Sequence, residues 1–80
     1  MRRDIQLARL ILTHVQAFAV IDGVREAAAN IYVKEASSQD QQLVDYHFDL
    51  LANDGYLLRS HGLVQLTWAG HDLLDSLLAK

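Results

Sequence analysis

Four histidines in a chain that has no cysteine are the residues whose type could do chemistry, either by binding a metal or by moving a proton. Their spacing supports neither. His14, His47, His61 and His71 form no H-x-x-x-H or H-E-x-x-H pair, the pattern that turns two imidazoles toward one ion from a single helical face. His47 falls among apolar residues and His71 stands four before Asp75, so both read as structural, each tying a neighbouring backbone group or carboxylate. Without cysteine there is no thiolate zinc site, no sulfur nucleophile and no disulfide framework. Nor is there a G-x-S-x-G elbow, a glycine-rich phosphate loop or a pair of acids in an apolar setting. The sequence predicts a protein that is not an enzyme and that holds neither metal nor cofactor.

The second candidate is a polar face. Plotted at 100° per residue, Leu43, Val44, His47, Phe48, Leu50 and Leu51 share one arc, and Gln42, Asp45, Tyr46, Asp49 and Asn53 share the opposite one. The display arc carries no cation, and Asp40 and Asp54 flank it. Asp45 and Asp49 repel weakly at i, i+4, so stability alone gives no reason to keep them. Tyr46 between them would be an aromatic anchor for a partner. Charge over the whole chain is −3, unevenly spread. Five cations against four anions leave residues 1–36 at +1, while Arg59 and Lys80 against six aspartates leave residues 37–80 at −4.

The element that must position this face is the stretch 37–67, a capped amphipathic helix running into a tight hairpin. Ser38 with Gln41 three residues on has the form of a capping box, and Gly55 marks the end of the helix. His61-Gly62 is a two-residue loop suited to a type I′ turn, which pairs Leu57 with Leu66 and Arg59 with Val64. Thr67 is placed to cap a last helix over residues 68–78, with Leu73, Leu74, Leu77 and Leu78 facing inward and Gly70 marking a close backbone approach.

Upstream, residues 4–19 read as a helix with a narrow polar stripe of Arg2, Gln6, Arg9, Thr13 and Gln16. Its apolar circumference exceeds what one small core can hide, so it reads as a central core helix or, in part, as a homodimer interface made by Leu7, Leu10, Ile11 and Phe18. Asp22-Gly23 signals a turn. Val24, Ala27, Ala28 and Ile31 then follow at helical spacing with Asp22 as a cap, although Ile31-Tyr32-Val33 also suits a short strand. The resulting fold class is mainly α with a small β component, a single winged helix-turn-helix-like domain over residues 1–80, in the order helix, helix, helix, β-hairpin, helix. Its core is expected to rest on Leu43, His47, Leu50, Leu51, Leu57, Leu66, Leu74 and the apolar side of the first helix.

Eighty residues bury only about 60% of the unfolded chain's surface, which again favours a second subunit. Asp4, Arg9, His14 and Asp22 interrupt the apolar N-terminal third, so neither a membrane span nor a leader is expected and a cytoplasmic location is.

Arg2-Arg3-Asp4, Tyr46-His47, Leu50-Leu51, Gly55-Tyr56-Leu57, and Leu66-Thr67-Trp68-Ala69-Gly70-His71 with Leu74-Asp75 together resemble a family of small uncharacterised bacterial and prophage proteins with a predicted winged-helix fold. The LTW-x-GH-x-x-LD string is the specific part; the wing is shorter than in many relatives. The resemblance implies a fold and a phage or prophage setting, and no activity.

Two functions compete. A helix-turn-helix suggests DNA, but an acidic display helix forfeits the counterion release that drives phosphate binding. The favoured expectation is a non-catalytic interaction protein whose acidic face docks a protein partner with a basic surface. In a phage setting that partner would be a host nucleic-acid-handling or anti-phage defence complex, as for an anti-CRISPR-like inhibitor. The alternative is a dimeric DNA-binding transcriptional regulator that touches phosphates through Arg2, Arg3, Arg9, Arg25 and Arg59.

Overall fold

Asp4 starts the first helix by accepting hydrogen bonds at Oδ1 from the N–H groups of Gln6 (2.9 Å) and Leu7 (3.2 Å), which would otherwise be left without partners. The computed structural model describes residues 3–18 and 23–79, and this helix, α1, spans Ile5–Phe18. Leu7, Ala8, Ile11, Leu12 and Val15 form its buried stripe. Of the two readings of this helix, the structure places most of the self-association residues in the core. Leu7 (2% exposed) and Ile11 (0%) lie inside the protein's own core, Leu10 is half-buried against it, and only Phe18 stands out at 60%. The other three helices take up more of the apolar circumference of α1 than its isolated pattern suggests.

A short strand, β1 (Val24–Arg25), precedes helix α2 (Glu26–Ser37). The strand therefore lies before the helix, and Ile31-Tyr32-Val33, which also suited a strand, are helix interior. The alanine run 27–29 favours helix, and Gly23 explains where the strand must fall. At φ +97° its backbone runs so close to Val64 that a Cβ would sit 2.6 Å from the Val64 carbonyl oxygen. The buried face of α2 is Ala29, Asn30 and Val33; Ala27, Ala28 and Ile31 are exposed, one phase away from the expected stripe. Asp22, expected as the cap, lies outside the described residues, as do Arg2 and Ala19.

Ser38 closes α2 instead of opening the next helix. It adopts the left-handed conformation (φ 58°) and its N–H donates to the Lys34 carbonyl at 3.0 Å. Asp40 caps α3 (Gln41–Asn53) by accepting from Gln42 N–H at 3.1 Å, so the Ser38/Gln41 capping box does not form. The helix ends at Gly55 (φ +85°). Gly55 N–H reaches the Ala52 carbonyl (3.1 Å) and Tyr56 N–H the Leu51 carbonyl (2.8 Å), the paired bonds of a Schellman end.

The hairpin β2 (Leu57–Ser60) and β3 (Leu63–Leu66) closes through His61 (φ 53°) and Gly62 (φ 79°), with Leu57 opposite Leu66 and Arg59 opposite Val64 as the loop length dictates. β1 adds to the far side of β3, pairing Val24 with Val64 and Arg25 with Leu63, which gives an antiparallel sheet of order β1-β3-β2. Helix α4 (Trp68–Leu78) is capped by Thr67, which accepts from Gly70 N–H at 3.0 Å. Leu74 and Leu77 are buried and Leu73 half-buried, but Leu78, expected inside, is 53% exposed at the end of the helix. The result is mainly helical with a small three-stranded antiparallel sheet. Phe48, Ile11, Leu12 and Leu74 are its largest fully buried apolar side chains. Of the expected core, Leu51, Leu57 and Leu74 are buried, while Leu43, Leu50 and Leu66 are partly so. Among the described residues no helix is long and apolar enough to cross a membrane.

His47, 1% exposed, is a buried polar residue that joins two of these elements. Its Nε2 accepts the Asp4 backbone N–H at 2.7 Å and its Nδ1 donates to the Leu43 carbonyl at 2.8 Å, which fixes the tautomer with the proton on Nδ1. Replacing it by alanine removes both bonds and opens a cavity, so urea unfolding of His47→Ala should show a loss of about 2–4 kcal/mol. An unchanged midpoint would refute the structural role. Gly70 supplies a second test. A Cβ there would land on the Tyr56 carbonyl oxygen. Where a free helix gains up to about 1 kcal/mol from glycine to alanine, Gly70→Ala should instead lose roughly 1–3 kcal/mol.

Candidate interaction face

With His47, Val44, Phe48 and Leu51 turned inward, α3 leaves Gln42, Asp45, Asp49 and Asn53 exposed on its outer face. Tyr46 departs from the expectation of a free anchor. It is half-buried, with its ring edge-on to His47 at 5.6 Å and 87°. The carboxylates depart from it as well, since both are engaged within the protein. Asp45 Oδ1 accepts from Asn30 Nδ2 (2.6 Å) and Gln41 Nε2 (3.0 Å), and the Gln41 amide also donates to Asn30 Oδ1. Asp49 Oδ1 pairs with a terminal guanidinium nitrogen of Arg59 at 2.8 Å. Stability therefore does give a reason to keep them, one that the one-dimensional pattern could not show.

Arg59 is the centre of this face. Its Nε and second terminal nitrogen grip both oxygens of Glu26 at 2.8 and 2.9 Å, the fork geometry of a bidentate pair, while its remaining nitrogen holds Asp49. Partial burial works against the charge, but the hydrogen bonds and charges of Glu26 and Asp49 outweigh it and hold the guanidinium above its ordinary value. One arginine of β2 thus crosslinks the first turn of α2 to the outer face of α3. Glu26 is well placed for this, because a carboxylate in a first helical turn also faces the positive end of the helix dipole. Glu26, Asn30 and Gln41 were missed in the sequence. The partners of Glu26 and Asn30 lie far along the chain, and no periodicity signals a contact between α2 and the hairpin; Gln41 stands one turn before Asp45, a spacing that permits their bond.

The other arginines stand elsewhere. Arg3 precedes α1, Arg9 lies on α1 and Arg25 in β1; all three are exposed, and none is in an ion pair among the described residues. Arg59 is the exception within that set, already committed to two carboxylates.

The histidines are dispersed. His14 stacks on Tyr32 (centroids 4.3 Å apart, 21°) and leans on Phe18 (4.7 Å), and burial lowers its pKa below the usual value. Its Nδ1 is buried with no hydrogen-bond partner among the described residues. His71 contacts Gln16 Nε2 through Nδ1 at 3.3 Å, and this interhelical contact replaces the expected bond to Asp75. His61, at the turn, meets the Ser60 hydroxyl at 3.0 Å. Among the described residues no three His, Asp or Glu side chains converge on a common point.

Comparison of the chain with protein-family models, with curated proteins and with solved structures finds no match.

The crosslink has a measurable size. Arg59 and Glu26 side chains are 35% and 26% exposed, so solvent screens the pair. A double-mutant cycle of Arg59→Gln and Glu26→Gln, read by thermal unfolding, should give a coupling of about 0.5–1 kcal/mol, the upper part of the surface range because the pair is bidentate. A coupling of zero would mean that the bridge leaves the face unorganised.

Proposed function

We propose that this chain is a winged helix-turn-helix domain that works as a non-catalytic interaction protein, presenting the outer face of α3 to a basic surface on a protein partner. The element order, the strand order β1-β3-β2 and the short 38–40 connection between α2 and α3 support the winged-helix reading. The observation that carries the functional reading is the Arg59 clamp. The hairpin's single cation is spent on Glu26 and Asp49, so the face made by α2, α3 and the hairpin keeps an excess of negative charge. Phosphates approaching that face would meet Asp45, Asp49 and Glu26 and would lack the cations whose counterion exchange drives binding. A lysine- or arginine-rich protein surface meets complementary charge there instead. In the phage setting implied by the resemblance, such a surface belongs to a complex that itself handles nucleic acid.

The regulator reading retains one supporting observation, that Arg3, Arg9 and Arg25 are exposed and in no ion pair among the described residues. These residues sit on elements other than α3, so a domain using them would bind DNA without its motif helix.

A lysine-rich peptide and random duplex DNA at low salt discriminate the two. The parent should bind the peptide with an affinity that falls as salt rises and should leave the DNA free. Asp49→Asn with Gln42→Lys and Asn53→Lys, which keeps a hydrogen-bonding group beside Arg59, should melt close to the parent. It should also bind peptide at least tenfold more weakly and begin to retain DNA. Tight DNA binding by the parent, with a salt slope reduced by Arg3→Gln and Arg9→Gln, would establish the regulator.

A further inference from the structure

A cleft of about 420 Å³ opens between the start of α1, the C-terminal half of α3 and the inner side of α4. This lies within the roughly 300–1,000 Å³ of sites that hold small ligands. It is separate from the acidic face. Its walls are aliphatic, with Ile5, Leu50, Leu73 and Leu77 the main contributors, and Ile5 stays 44% exposed although apolar. Its polar groups are few. Arg3 and Asp54 stand on its border, neither in an ion pair among the described residues, and Tyr46 and Tyr56 line it with hydroxyls that make no hydrogen bond among them. His47, on its floor, has both nitrogens occupied and offers nothing to a ligand. A few polar groups around an aliphatic cleft fix a ligand's orientation.

The backbone positions of the two charged residues set the ligand's length. Arg3 adjoins Asp4, whose N–H is held at the level of His47, and Asp54 lies seven residues farther along α3, about 10 Å of helix axis. A single amino acid carries its ammonium and carboxylate too close together to reach both. An extended peptide advances about 3.3–3.6 Å per residue, so two or three residues span the gap. We propose that this cleft binds short apolar peptides with free ends, two or three residues long, the carboxylate toward Arg3, the ammonium toward Asp54 and the aliphatic side chains between Leu50, Leu73 and Leu77.

Titrating the whole chain with trileucine, with dileucine and with doubly capped acetyl-trileucine-amide, followed by backbone amide NMR and calorimetry, tests this. The free-ended peptides should shift the resonances of Leu50, Leu73 and Leu77, and the capped one should bind about tenfold more weakly because both charge-assisted contacts are gone. Arg3→Gln and Asp54→Asn lie at exposed positions and should melt like the parent, each weakening trileucine about three- to tenfold. Leu73→Trp, which fills the cleft, should abolish the shifts. The proposal is overturned if millimolar trileucine and dileucine shift nothing, if the capped peptide binds as well as the free one, or if the shifts fall on residues away from the cleft.

Discussion

A single buried imidazole sets the rotation of α3, and most of what the surface offers follows from that rotation. His47 takes the Asp4 N–H on one nitrogen and gives its proton to the Leu43 carbonyl on the other, so it cannot leave the interior without orphaning a backbone donor at the start of α1. Because successive helical residues are 100° apart, fixing residue 47 inward sends residues 45 and 49 outward, one turn apart on the opposite side. The same bond pins the start of α1 against α3 and leaves the cleft to open beside that junction. Apolar packing alone would hold these helices together. The directed hydrogen bonds fix the angle at which they meet.

The outer face is then organised by a second group of directed contacts. Asn30, Gln41 and Asp45 share hydrogen bonds across the α2–α3 angle, and Arg59 reaches from β2 to Glu26 and Asp49. The ion pairs among these contacts are partly screened by solvent and individually worth little. Their effect is to hold side chains of three elements in one arrangement, and to neutralise a cation that a nucleic-acid-binding hairpin would leave free. Rigid, satisfied carboxylates suit the docking of a fixed basic surface, since less side-chain freedom remains to be lost on association.

The backbone devices explain why the hairpin and α4 sit where they do. Gly23 and Gly70 are both places where another segment's carbonyl oxygen occupies the space of a Cβ, that of Val64 in β3 in one case and that of Tyr56, just before β2, in the other. Thr67 serves twice over: its hydroxyl accepts the Gly70 N–H to cap α4 and donates to the Gly55 carbonyl at the end of α3. A few small residues thereby set the distance between sheet and helices that the apolar core fills.

The sequence by itself determined what is local. The hairpin register follows from a two-residue loop with glycine, the end of α3 from Gly55, the start of α4 from Thr67, and the inner and outer faces of α3 from its 3.6-residue period; each depends on residues within a turn or two of one another. The buried role of His47 was legible for the same reason, as a polar residue in the middle of an apolar arc. Only the tertiary structure decided the rest. Ser38 ends a helix instead of starting one because Asp40 caps α3 and the chain must first turn away from α2. Val24 and Arg25 are strand because β3 lies beside them, although their own pattern is helical. Leu7 and Ile11 are core because three other helices surround α1, a fact that no helical wheel contains. Above all, whether Asp49, Glu26 and Arg59 are free or mutually engaged depends on contacts spanning 10 to 33 residues, and a stretch of sequence read alone carries no physical signal of which distant charge will meet it.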